Sequence, residues 1–339
     1  DKDLIRSVAQ LIGAPDAEFY VCTLQQQSVG YVLQRFRHSM WANGMEATIE
    51  DLFVHPDNRQ SGLGRQLIQF ALDRADADWN LVIDADEWLV EGGDSLRHWC
   101  GNELRLGRIC IHNDDDSTGT PTTTRSWITR LLPRGVRYEG RVHEQPVSRL
   151  PVAKAPIHLR HDGYLAAQRD GKCARNRPLL LAELRERPGD GYLCFQLGKE
   201  AGSESDHAQA SEWFAQALAA TDPADVWYPD LVVQALHTLG QAGRFESAVE
   251  LATRIEATMT GSPDFYFVLG NLFLDRALAD PQGAVTDWLP LSLTAWRQCL
   301  AIGERPDLEG SVEGRGSHLA RFNIDLVERE LERLSAGAA

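Results

Sequence analysis

The sequence contains no run of about 18 apolar residues, so no transmembrane helix is expected. It is short of basic charge: Lys+Arg number 34 against 49 Asp+Glu, a formal net charge of −15. That balance argues against a sequence-independent nucleic-acid binder, which needs a basic face to meet phosphates. Its six cysteines are scattered and form no C-x-x-C pair. Neither a disulfide framework nor a structural zinc site is expected, and the cysteines read as reduced thiols filling the core of a cytoplasmic protein. No signal-peptide pattern stands at the start. The chain opens at Asp1, so a leader or upstream domain is left open.

What is present is 339 residues, 43% hydrophobic and 24% charged, as in ordinary globular protein. That length suggests two or three domains, and three regions differ in pattern. Residues 1–76 predict a helix over 3–12 on Leu4, Ile5, Val8, Leu11 and Ile12. Strands follow over 19–24, 29–36 and 47–54, with a polar turn at 25–28. After Pro56-Asp57-Asn58 comes Arg59-Gln60-Ser61-Gly62-Leu63-Gly64-Arg65, then an amphipathic helix with Leu67, Ile68, Phe70, Ala71 and Leu72. Residues 77–165 open with a nearly all-apolar strand, 79–83, of the kind found at the centre of a parallel sheet. A polar loop is expected over 113–125 and short strands over 126–132 and 136–143.

Residues 166–339 read as an all-α repeat domain. Leu197, Gly198, Ala210, Phe214 and Ala217, closed by Pro223, have the spacing of a tetratricopeptide unit of about 34 residues. Leu239-Gly240, Gly243, Phe245, Ala248 and Ala252 repeat parts of it, and Leu269-Gly270 begins another. The partner helix of that unit, with Ala295, Trp296 and Ile302, is delayed by an insertion holding Pro281, Trp288 and Pro290. A last helix is expected over 318–334.

Two constellations carry chemistry. The Arg59–Arg65 turn joins a strand to a helix. Glycines let its backbone turn sharply and present N–H groups, and the helix N-terminus adds partial positive charge. This is an anion site suited to a pyrophosphate. The second is Asp84-Ala85-Asp86 at the end of the 79–83 strand, where open α/β sheets bind ligands. Alternation predicts both carboxylates on one side, an arrangement suited to Mg²⁺ or Mn²⁺ with substrate phosphate.

Around these residues two family resemblances stand side by side. "IEDLFVHPDNRQSGLGRQLIQFAL" (49–72) resembles GNAT acetyltransferases, and "FRHSMWANGMEATIEDLFV" looks most like their polyamine-type members. The resemblance implies acetyl-CoA held by residues 59–65 and an amine substrate near Glu50 and Asp51. It stops near residue 76, and no tyrosine matches the family's general acid. "ALDRADADWNLVIDADEWL" (71–89) resembles the Asp-x-Asp region of family 2 glycosyltransferases of the GT-A fold. "RLLPRGVRYEGRVHEQP" (130–146), "PIHLRHDGY" (156–164) and "GRGSHLARFNIDLV" (314–327) resemble later parts of their tetratricopeptide-bearing members, over about 68–335 in all.

That second resemblance implies metal ligands Asp84, Asp86 and His161, with His158 as the fallback. It implies a base at Glu144 beside His143, and phosphate or substrate contacts from Arg130 and Arg141. The nucleotide-binding half of that family has no match here. The fold class expected is therefore α/β in the N-terminal half, a GNAT-like front joined to a GT-A-like back in a mixed sheet, followed by all-α tetratricopeptide-like repeats. Metal-dependent transfer of a sugar from a nucleotide-sugar is the first function implied. Acetyl transfer from acetyl-CoA to an amine is the alternative. A non-catalytic repeat scaffold holding a peptide or protein partner is the third.

Overall fold

A computed structural model of the chain describes residues 14–39, 44–59, 61–75, 77–84, 86–101, 103–115, 122–140, 143–161 and 172–337. The expected helix over 3–12 lies outside them. The front is a three-stranded antiparallel sheet, β1 (Ala17–Leu24), β2 (Gln27–Ser39) and β3 (Gly44–Val54), in the order β1-β2-β3. Gln25 and Gln26 both take positive φ, 49° and 66°, as a two-residue hairpin turn matching strand twist requires. The predicted turn is therefore right in place but shorter, and β2 begins at Gln27. Helix α1 (Leu63–Ala75) lies on this sheet. Leu63, Leu67 and Ala71, one turn apart, are its buried stripe, and Leu67 and Ala71 pack with Val32.

The second sheet has the order β11-β7-β6-β10-β5. Its strands are β4 (Trp79–Leu81), β5 (Glu87–Glu91), β6 (Leu106–Asp115), β7 (Thr122–Pro133), β10 (Val152–His161) and β11 (Ser311–Val312). A separate ribbon pairs β8 (Arg137–Glu139) with β9 (Gln145–Val147). Three expectations are corrected. The 79–83 strand is not central and parallel: β4 stops at Leu81 and pairs antiparallel with β7, Trp79 opposite Pro133 and Leu81 opposite Leu131. The front and back do not form one mixed sheet; β3 and β4 pair in different sheets on either side of α1. The 113–125 loop is shorter, because β6 runs to Asp115 and β7 starts at Thr122, their threonines and acids in register. Ile109, Ile111, Leu131, Ala155, Ile157 and Leu159 form the core of one face. Trp79, Leu96 and Trp99 cover it, the last two from α2 (Leu96–Cys100).

From residue 172 the described chain is chiefly helical: α3 (Lys172–Glu186), α4 (Gly191–Ser203), α5 (His207–Ala220), α6 (Tyr228–Gln241), α7 (Phe245–Met259), α8 (Pro263–Ala279), α9 (Leu289–Ile302) and α10 (His318–Gly337). Antiparallel pairing follows the repeat pattern. Gly198 of α4 lies under the Phe214 ring of α5, where any Cβ would collide with the ring. Gly270 of α8 repeats this against Trp296 of α9, a Cβ falling 2.5 Å from the indole nitrogen. The insertion between them is a π-helical turn, Ala284–Trp288, with Trp288 Nε1 donating to Asp280 at 3.0 Å. No helix among the described residues is long and apolar enough to cross a membrane.

The helical part also completes the second sheet, since β11 pairs with β7. Glu309 accepts from Arg108 at 2.6 Å and from the Trp127 backbone N–H at 2.9 Å. Trp127 Nε1 donates to the Pro306 carbonyl at 2.9 Å. Gly198→Ala should lower stability by about 1–3 kcal/mol through overpacking, with Phe214→Leu in the same chain recovering part of it. Urea unfolding of the parent and the two variants checks this; a Gly198→Ala chain as stable as the parent would contradict the close approach.

Candidate functional site

The strand-to-helix turn is built locally. A single 3₁₀ turn, 56–58, follows β3, and Arg59 Nε donates to the Val54 carbonyl at 2.9 Å, folding the side chain back onto the strand end. Ser61 Oγ donates to the Asn58 carbonyl. Gly62 has φ +82°, and the space where its Cβ would stand is open. The first helical bond, Gln66 N–H to the Gly62 carbonyl at 3.1 Å, leaves the N–H groups of Leu63, Gly64 and Arg65 without intrahelical acceptors. Arg65 reaches the Tyr138 carbonyl at 2.7 Å. Gln60 lies outside the described residues. The open space at Gly62 and the N–H groups of the helix N-terminus suit a pyrophosphate, while the Arg59 and Arg65 guanidinium groups are turned to the Val54 and Tyr138 carbonyls.

On β3 the register with β2 slips between Leu33 and Gln34: Asp51 faces Leu33, Ile49 faces Gln34, and Glu50 is the extra residue of a bulge. Bulges re-aim side chains next to sites, and nothing in the hydrophobic pattern marked this one. Asp51 accepts from the Tyr31 hydroxyl at 2.7 Å, and that bond holds the phenol above its usual range.

The carboxylates at the end of β4 do not form the pair that alternation predicted, because the strand ends three residues before Asp84. Asp84 instead opens a turn: its N–H bonds Glu87 Oε2 at 2.8 Å and its carbonyl accepts from Glu87 N–H at 3.0 Å. Arg130 donates to Asp84 at 2.6 Å and to Glu87 at 3.2 Å. Arg130 is thus held by the protein's own acids rather than presented to phosphate. The Glu87 side chain is only 4% exposed. Burial pushes its carboxyl up, opposed by the Asp84 N–H and by Arg130.

Asp86 turns the other way, to His161 Nε2 at 3.2 Å. Strand pairing explains the meeting: β10 sets His161 opposite Glu87 on β5 and opposite Asn113 on β6. His161 Nδ1 lies 3.1 Å from Asn113 Oδ1, and the Asn113 amide nitrogen faces three acceptors, on Ile111, Thr124 and Ser126. That orientation makes Asn113 Oδ1 the acceptor and Nδ1 the protonated nitrogen. In the neutral imidazole Nε2 then aims its lone pair at a carboxylate, an arrangement that a proton or a cation completes.

The remaining candidates separate. His143 has φ +53° and lies 3.7 Å from Glu200 on α4, so it contacts the helical region instead of flanking a base. Burial above all pushes the Tyr138 phenol up to about 12, opposed by Arg130 and aided by Asp84 and the exposed Glu144. Tyr138 donates to the Thr129 carbonyl at 2.6 Å. His158 cannot substitute for His161, since alternation sends it to the opposite sheet face. Arg141 lies outside the described residues. Glu87, Asn113 and Tyr138 were missed; only the first, inside the Asp-Ala-Asp-Glu string, carried a signal.

Residues 15–95 match the family model described as the acetyltransferase (GNAT) domain. This stretch is similar to GNAT acetyltransferases. The match runs past residue 76, where the resemblance was expected to stop, and takes in β4 and the Asp84–Glu87 turn. A TPR repeat-containing protein of Synechococcus elongatus is 26% identical over 227 residues, covering 61% of this chain. The chain spans about half of that relative's length, 55%. Neither comparison names a glycosyltransferase.

Arg130→Met would leave Glu87 buried without its cation, at a cost of about 3–5 kcal/mol. Burial holds the Glu87 carboxyl above its ordinary range in the folded chain, so its ionisation weakens the fold as pH rises through that raised value. The Arg130→Met deficit should therefore be larger at pH 7 than at pH 4.5 in urea titrations. A deficit independent of pH would contradict the role given to Arg130.

Proposed function

We propose that the chain is an acetyl-CoA-dependent transferase acting on an amine. The observation that carries this is the GNAT match over 15–95 falling on a turn whose open Gly62 and helix N-terminal N–H groups suit a pyrophosphate. In this proposal the N–H groups of residues 62–65 hold the CoA diphosphate. Asp51, fixed by Tyr31, and Glu50, set off by the bulge, draw in a cationic amine, helped by the net charge of −15. Glu50 takes the ammonium proton. The amine nitrogen bonds to the acetyl carbonyl carbon, the carbon–sulfur bond breaks, and the remaining surplus proton on the nitrogen passes to the departing sulfur, so that CoA leaves as its thiol. The proposed division at 76/77 and 165/166 gives the repeats a peptide- or protein-binding task, for which stacked helical hairpins provide a concave surface.

A second reading is favoured by one observation, the Asp86–His161 contact with Asn113 behind it. In that reading Asp86 and His161 would hold Mn²⁺ or Mg²⁺ with the diphosphate of a nucleotide-sugar and Glu144 would be the base for an acceptor hydroxyl, while Asp84 is taken up by Arg130. Nothing in the two family comparisons adds to it.

Thiol release from acetyl-CoA in the presence of small amines and polyamines tests the first reading. Gly62→Asp places a strained, anionic side chain in the cradle and should reduce kcat/KM by about a hundredfold, or about 2.7 kcal/mol, mostly through KM for acetyl-CoA. Full activity in that variant, or no thiol release from the parent with any amine, would overturn the proposal. For the second reading, Asp86→Ala should abolish Mn²⁺-dependent UDP binding; binding that persists removes it.

A further inference from the structure

The opposite face of the second sheet holds a cluster that neither reaction uses. Cys110 and His112 stand two apart on β6, and His158 on β10 lies directly opposite Cys110 in the parallel register. All three point away from the Ile109, Ile111, Ile157 and Leu159 core, because side chains alternate along a strand. Cys110 is fully buried, and both histidines are half-buried. Cys110 Sγ lies 3.7 Å from His112 Nε2, and His112 Nε2 lies 3.1 Å from His158 Nδ1. One ligand atom from each falls within 4.8 Å of the others.

We propose that Cys110, His112 and His158 form a site for one thiophilic divalent cation, best suited to Zn²⁺. A tetrahedral ion with bonds of about 2.3 Å to sulfur and about 2.05 Å to nitrogen requires edges of about 3.6 Å for S···N and about 3.3 Å for N···N. The two distances stand close to those edges before any ion arrives. Without the ion the 3.1 Å contact is a hydrogen bond, one ring N–H donating to the other ring's lone pair. With it, both nitrogens turn lone pairs to the metal. The Cys110 S–H bond breaks, the sulfur–metal bond forms, and the proton passes to solvent.

One thiolate and two imidazoles favour Zn²⁺ over Mg²⁺ or Ca²⁺, which take oxygen ligands. The surroundings are a partly closed wall. The Trp127 ring meets His158 edge-on at 6.0 Å between centroids, and Lys154 lies over that indole. Arg125 and Arg160 act on His112 as nearby cations, offset by Glu313, and Arg125 pairs with Glu313 at 2.9 Å. The thiolate lowers the net charge of the bound ion to one, which limits repulsion from those cations. Linear cysteine spacing could not reveal such a site, because two of its ligands are histidines and the third is 48 residues from His158 only in sequence.

Cobalt titration of the reduced full chain tests the proposal. One equivalent of Co²⁺ should produce thiolate-to-cobalt charge-transfer absorption with tetrahedral d–d bands, displaced by Zn²⁺. Cys110→Ala should abolish the charge-transfer band. His158→Ala should weaken binding at least about tenfold, since even outer partners of a metal are worth that much. Asp86→Ala should leave the band intact, separating this cluster from the Asp86–His161 pair, and circular dichroism verifies the fold of each variant. No thiolate band in the parent, a band surviving Cys110→Ala, or a band lost in Asp86→Ala would each overturn the assignment.

Discussion

Helix α1 is the element on which the front half depends. The strands before and after it belong to different sheets, so no backbone ladder joins β3 to β4. The helix instead links the first sheet to the β8–β9 ribbon by its side chains. Its buried stripe of Leu67 and Ala71 packs on Val32 of the first sheet. Its outer side reaches the back half through Arg65, bonded to the Tyr138 carbonyl, and Asp73, paired with Arg137. Arg74 bonds back to Tyr20 of β1 at 3.4 Å. At its N-terminus the first intrahelical bond runs from the Gln66 N–H to the Gly62 carbonyl, so the preceding helical N–H groups have no intrahelical acceptor. The helix so tied between the first sheet and the β8–β9 ribbon presents the N-terminus that is proposed to hold an anion.

The second sheet distributes its chemistry by strand alternation. β10 lies between β5 and β6, so His161 meets Asp86 and Asn113 on one face while His158 meets Cys110 and His112 on the other. Burial anchors this sheet to the repeats. Glu309 sits in a low-dielectric pocket that pushes its carboxyl up to about 7, and Arg108 with the Trp127 N–H holds it there. Such a pair is costly to bury and costlier to break. It fixes where β11 adds to β7, and so makes the repeats part of the sheet rather than an appendage.

The sequence made the period-driven elements legible. Leu63, Leu67 and Ala71 mark α1, and the Gly198–Phe214 and Gly270–Trp296 offsets mark helix pairs, because close approach demands a small residue opposite a large one. The strand 79–83 misled because an apolar run signals burial without saying which neighbour covers it; Trp99 and Leu96 do so here, at a sheet edge. Asp86 and His161 were named from motif context, and pairing across 75 positions brings them together. Asp84 was assigned the same task, but a turn bonded to Glu87 gave it to Arg130. The Glu50 bulge and the Cys110–His112–His158 cluster were illegible, since both arise from strand register, which no local pattern records.

The α1 N-terminus is proposed to bind the diphosphate of an acyl carrier. The most direct measurement is the melting temperature of the intact chain with acetyl-CoA plus EDTA, beside UDP plus Mn²⁺. A ligand at a hundred times its Kd stabilises the native state by about 2.7 kcal/mol. The account predicts a clear rise with acetyl-CoA that needs no metal. No rise with acetyl-CoA, together with a metal-dependent rise with UDP, would contradict it and move the chemistry to Asp86 and His161.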